Sequence, residues 1–63
     1  MSRTDLLHWR TAFSVLPPCI HNTIATRRIA RTLAEDDPHP ITRAELMRLA
    51  EACRARVPTR RAA

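Results

Sequence analysis

Residues 35–45 read EDDPHPITRAE, and this stretch decides the fold because it holds both the end of one helix and the start of the next. Pro38 and Pro40 lack the amide hydrogen a helix needs, and Glu35, Asp36 and Asp37 sit at the negative end of any helix that precedes them. A helix entering this stretch has to stop. Two residues after Pro40, Thr42 and Glu45 have the T-x-x-E spacing of a capping box, in which each side chain satisfies the other's unpaired backbone amide. A further helix is therefore predicted to start there and run to about Val57, where Pro58 closes it. Its apolar stripe, Leu46, Leu49, Ala50, Cys53 and Val57, covers roughly 100° of arc, as the core-facing side of a helix does. The last residues, TRRAA, read as a mobile basic tail.

Upstream of the break, apolar residues at helical spacing predict a helix from about Pro18 to Glu35. Ala25, Ile29 and Leu33, with Cys19 and Ala30 beside them, form its main stripe. Ile20 and Ile24 fall on another side, in line with Arg27, Arg28 and Arg31, so one face is apolar in its first half and cationic in its second. Before this, Ser2 or Thr4 with Asp5 caps a first helix whose stripe is Leu6, Trp9, Ala12, Phe13 and Leu16, and Pro17-Pro18 ends it. The pattern predicts an all-α protein of three short helices, the second and third forming an antiparallel hairpin, in a single domain over residues 1–58. A homodimeric helical bundle is expected. In a 63-residue chain apolar burial only roughly balances the entropy lost at ~1.5 kcal/mol per ordered residue, and the clean stripe on the third helix invites a symmetric partner.

Composition removes several function classes. Glycine is absent, which excludes glycine-rich phosphate loops and the dinucleotide fingerprint, because both need backbone conformations that only Gly adopts readily. The longest apolar run, AFSVLPPCI, is interrupted by two prolines and falls well short of the ~20 residues that span a bilayer. A soluble, cytoplasmic protein is expected; Asp5 argues against reading the first helix as a mitochondrial presequence. All 11 basic residues are arginine, and the formal charge of +5 with a pI near 11.3 favours anionic partners without identifying them. The guanidinium fork suits carboxylates and phosphates alike.

Catalytic and ligand-binding chemistry finds little support. Cys19, His21, His39 and Cys53 are the only soft-ligand set, but C-I-H is too tight for paired zinc ligands and the rest lie on separate elements, so no metal or cofactor is expected. Cys19 and His21, two apart on a helix, point away from each other and make no nucleophile pair. With no glycine for an oxyanion loop and no orienting third group, the chain does not read as an enzyme. A disulfide is also disfavoured: a turn centred near residue 39 sets Cys53 opposite residue 25, ~9 Å along the axis from Cys19.

Trp9 and Phe13 are the only aromatics, four apart, and are read as core. The first helix's stripe must land on something, and Ile20 with Ile24 is its expected target. If that pair stays open, it makes an apolar-plus-arginine patch beside Arg27, Arg28 and Arg31 of the kind enriched at protein interfaces. The bland alternative is a solvated face with Arg31 paired to Glu35 one turn on.

Function is read in the same terms. The first expectation is a small non-enzymatic regulator, bacterial or phage in type, that binds an acidic protein partner through Ile20, Ile24, Arg27, Arg28 and Arg31 and inhibits or adapts it. The alternative is a basic DNA-binding transcriptional regulator using Arg54, Arg56, Arg60 and Arg61 on the nucleic-acid backbone. A helix-turn-helix fits poorly, because the connector is long, acidic and lacks a tight glycine turn. A module whose only role is self-association is a third reading.

Overall fold

A computed structural model describes residues 1–55. Within them the chain is all-helical: α1 spans Arg3–Ser14, α2 Ile20–Leu33 and α3 Arg43–Ala55, with no strand among the described residues. The central element is α2, which packs against both α1 and α3.

Side-chain caps fix the starts of α1 and α3. Ser2 is the N-cap of α1: its hydroxyl accepts from the Asp5 amide at 3.1 Å, while the Asp5 carboxylate accepts from the Ser2 amide at 3.3 Å. The same reciprocal box opens α3, with Thr42 and Glu45 exchanging bonds of 3.1 to 3.2 Å. This is what their spacing predicts. The start of α2 differs: Cys19 is its N-cap in extended geometry, with no side-chain cap bond, and Pro17-Pro18 lie outside the helix.

The end of α2 also differs from expectation. The helix stops at Leu33, and Glu35 lies beyond it with φ of 57°. The Glu35 amide donates to the Thr32 carbonyl and the Asp36 amide to the Arg31 carbonyl, both at 3.0 Å. These are the paired bonds of a Schellman closure, which needs a left-handed residue at this position and normally takes glycine. In a chain without glycine, Glu35 occupies it.

The backbone therefore turns at Glu35–Asp36, earlier than residue 39. The Ile41 amide donates to the Thr32 hydroxyl at 3.1 Å, and Arg28 lies beside Glu45. This register overturns the expected separation of the cysteines. The Sγ atoms of Cys19 and Cys53 are 3.3 Å apart, with Cys19 donating.

The core comprises Leu6 and Phe13 of α1, Ala25 and Ile29 of α2, Ile41 of the connector, and Leu46, Ala50 and Cys53 of α3. Trp9, Leu16, Cys19, Leu33 and Leu49 pack around it, half-buried. Trp9 and Phe13 lie with centroids 6.2 Å apart and planes tilted by 37°, a geometry favourable to aromatic pairs. One expectation is corrected by this core. The stripe of α1 joins Ala25 and Ile29, the main stripe of α2, and leaves Ile20 and Ile24 aside; Ala12 is exposed. Of the α3 stripe, Leu46, Ala50 and Cys53 are buried in the chain's own core and Leu49 is half-buried against it. Val57 falls outside the described residues, as do Arg56, Arg60, Arg61 and the TRRAA tail.

Two polar clamps join the elements. The Asn22 amide nitrogen donates to the carbonyls of Phe13 at 2.8 Å and of Leu16 and Pro17 at 3.3 Å, tying the first turn of α2 to the end of α1 and the segment between them. At the opposite end, Arg3 reaches the Leu33 carbonyl at 3.5 Å.

Candidate functional site

The arginines of α2 divide into two kinds. Arg28 points at the chain's own acids: Nε donates to Asp37 Oδ2 at 3.1 Å, Nη1 lies 3.5 Å from Glu45 Oε2, and Nη2 donates to the His39 carbonyl at 2.6 Å. Both ion pairs among the described residues are made by this one guanidinium. Arg28 thus staples α2 to the connector and to the first turn of α3. It does not stand outward with its neighbours, as the periodicity alone implies.

Arg27 and Arg31 remain exposed. Neither forms an ion pair among the described residues, and Arg31 makes only a long bond, 3.4 Å, to the Asp36 carbonyl. The expected Arg31–Glu35 pair does not form, because the left-handed turn at Glu35 takes that residue off the helical face. Ile20 and Ile24, at 62% and 41% exposure, are open as well. Ile24, Arg27, Arg28, Ala30 and Arg31 line one shallow groove on this side. A second, between α2 and α3, is lined by His21, Ile24, Arg28, Glu45, Arg48, Leu49 and Ala52. Ile24 and Arg28 border both grooves.

The carboxylates that hold Arg28 are tuned by the same contacts. The His39 amide, donating to Asp37 Oδ1 at 2.9 Å, holds the Asp37 carboxyl below its usual range, and Arg28 adds to this against the cost of burial. Asp37 is thereby the anchor of an Asx turn ahead of Pro38, its side chain only 7% exposed. Glu45 is lowered chiefly by the Thr42 amide, with Arg28 contributing. Asp5 is lowered chiefly by the Ser2 amide. Asp37 of the connector is consequently committed to the fold.

On α3, Arg54 is exposed; Arg56, Arg60 and Arg61 lie outside the described residues. Among the described residues no three His, Cys, Asp or Glu side chains come together as a metal-ligand group; Cys19 and Cys53 meet without His21 or His39. No helix is long and apolar enough to cross a membrane.

Sequence reasoning missed three features. Ile41 is buried at the position before the Thr42 cap, with buried Leu46 at the fourth helical residue; this is the placement of a hydrophobic staple, and it was readable from the capping box. The Asn22 clamp and the Arg28 staple carry no local sequence signal, because both depend on where a distant segment lies. Comparison with protein-family models, with curated proteins and with solved structures finds no match.

Proposed function

We infer that the chain is a small non-enzymatic regulator that docks on an acidic, partly apolar protein segment and acts by occluding it. One observation carries this reading. Ile20 and Ile24 stand exposed beside Arg27 and Arg31, which form no ion pair among the described residues, while Arg28 is engaged with Asp37 and Glu45. Exposed isoleucine next to unneutralised arginine fits a binding surface of apolar centre and cationic rim, where arginine is enriched. Arg28 enters the reading as the residue that holds the floor of the face in shape.

The fold-level part of the proposal is an antiparallel α2–α3 hairpin working as a homodimer. The contacts of Arg28 with Glu45, of Ile41 with Thr32 and of Cys19 with Cys53 support the hairpin, since each pairs an earlier residue of α2 with a later one beyond the turn. The size of the chain supports self-association. Two copies would bring like charges together at the arginine face, so the exposed apolar side chains that fit a self-contact are Val15 and Met47.

The test is affinity capture from nuclease-treated lysate of the native cell with wild type and the double reversal R27E/R31E. Wild type should retain a specific protein that the variant loses, with helicity by circular dichroism unchanged. Equal capture by both removes these arginines from the site. A salt-dependent shift of DNA by wild type, with no protein retained, would favour the nucleic-acid alternative, for which log affinity falls with log salt at about −0.9 per phosphate neutralised.

A further inference from the structure

We propose that Cys19 and Cys53 are a redox-active dithiol, a modification site for small-molecule disulfides of the glutathione class, which close it into an intramolecular disulfide joining the start of α2 to the end of α3. The two sulfurs already touch at 3.3 Å, in the reduced state; bond formation at 2.03–2.05 Å requires a further approach of about 1.3 Å. The two sites are asymmetric. Cys19 is half-buried at the helix start, whereas Cys53 has no exposed surface. An oxidant from solvent reaches Cys19 first and Cys53 can react only through it.

The chemistry follows this order. The Cys19 thiolate attacks one sulfur of glutathione disulfide, breaking its S–S bond, forming a mixed disulfide and releasing one glutathione thiolate. That thiolate accepts the Cys53 proton. The Cys53 sulfur then attacks the Cys19 sulfur and expels the second glutathione, so two electrons have passed from the dithiol to glutathione disulfide. Burial, together with the neighbouring Cys19 sulfur, pushes the Cys53 thiol up to about 11, with Arg54 acting in the opposite sense, so Cys53 enters the reaction as the resolving thiol and not as the first nucleophile. No helix cap is lost on oxidation, because Cys19 caps α2 without a side-chain bond.

Closure links residues that are far apart in sequence, which constrains the unfolded chain strongly. This device is independent of the docking reading above: it requires only the two thiols.

The experiment incubates the full chain with excess glutathione disulfide, quenches with iodoacetamide, and reads intact mass, cysteine-peptide linkage and thermal midpoint. Wild type should become a monomeric species lighter by the two thiol hydrogens, with the Cys19 and Cys53 peptides cross-linked. Its midpoint should rise by about 10 °C or more and return on adding dithiothreitol. C53A, whose small apolar replacement suits the buried site, should stop at a glutathione adduct on Cys19. The mass readout on wild type stands even if that variant fails to fold. Wild type that ends as a lasting mixed disulfide, as a disulfide-linked dimer only, or with both thiols still alkylated overturns the proposal.

Discussion

At the scale of single residues, the least comfortable position is Glu35, a side chain with a Cβ held at φ of 57° because the Schellman closure of α2 demands it. Left-handed geometry costs a non-glycine L-residue about 1–2 kcal/mol, and the carboxylate also sits at the negative end of the helix dipole. Glu35→Gly should raise stability by about 1 kcal/mol, read as a higher urea midpoint with an unchanged slope. Asn22 is the opposite case. The two hydrogens of its amide are shared among three carbonyls at the α1–α2 turn, so Asn22→Ala removes that turn's side-chain donor and should cost about 1–3 kcal/mol. Titration follows the same residues. Asp5, Asp37 and Glu45 bind protons more weakly folded than unfolded, so as pH falls through their ordinary values of 3.8 and 4.5 the unfolded chain takes up protons first and stability drops. Cys53 works at the other end: its proton is held more tightly in the folded state, so stability should decline as pH rises from 9.0 towards about 11. Thermal melts across pH should show both arms, and the alkaline one should shrink in C53A.

At the scale of elements, the Thr42–Glu45 box and the Arg28 staple act on the same few residues, since Glu45 serves the Thr42 amide and Arg28 together. Thr42→Ala should cost about 1 kcal/mol, the ordinary worth of an N-cap. Arg28→Met should lower the thermal midpoint by several degrees, because it leaves Asp37 and Glu45 without their guanidinium. The two substitutions should not add, as they share Glu45; a double-mutant cycle measures the coupling. These elements also show what was legible in the sequence. The Thr42–Glu45 capping box, all three helices and most core positions follow from period and local spacing, because a cap is decided within four residues; at α1 the spacing left Ser2 and Thr4 both open as the cap. The register between α2 and α3 was not legible. It turns on whether the backbone turns at residue 35 or at 39, and that is set by the left-handed conformation of Glu35, which the residue type disfavours. The misplaced turn hid both the thiol contact and the pairing of Arg28 with Glu45. The same gap made Ile20 and Ile24 look like natural targets for α1, when Asn22 instead fixes the angle of the α1–α2 turn and directs α1 onto Ala25 and Ile29.

At the scale of the whole molecule, the open question is whether the face of α2 acts as a shaped surface or only through the chain's total charge. Long-range attraction depends on net charge and is screened by salt within about 8 Å at physiological ionic strength, whereas docking requires particular side chains at close range. R27E/R31E alone does not separate the two, since each reversal subtracts two charges and takes the formal +5 to +1. R10E/R54E makes the same change at exposed positions on α1 and α3, and I20S/I24S leaves charge untouched while removing the apolar half of the face. None of these side chains is in the core or holds a carboxylate among the described residues, so all three variants should melt close to wild type, with each substitution within about 0.5 kcal/mol. If the face docks as a shape, partner capture is lost in R27E/R31E and in I20S/I24S and survives in R10E/R54E. Equal loss in the two charge variants with full capture by I20S/I24S would reduce the face to a bearer of charge. In that event the exposure of Ile20 and Ile24 would follow simply from the α1–α2 turn, which leaves them nothing of their own chain to cover them.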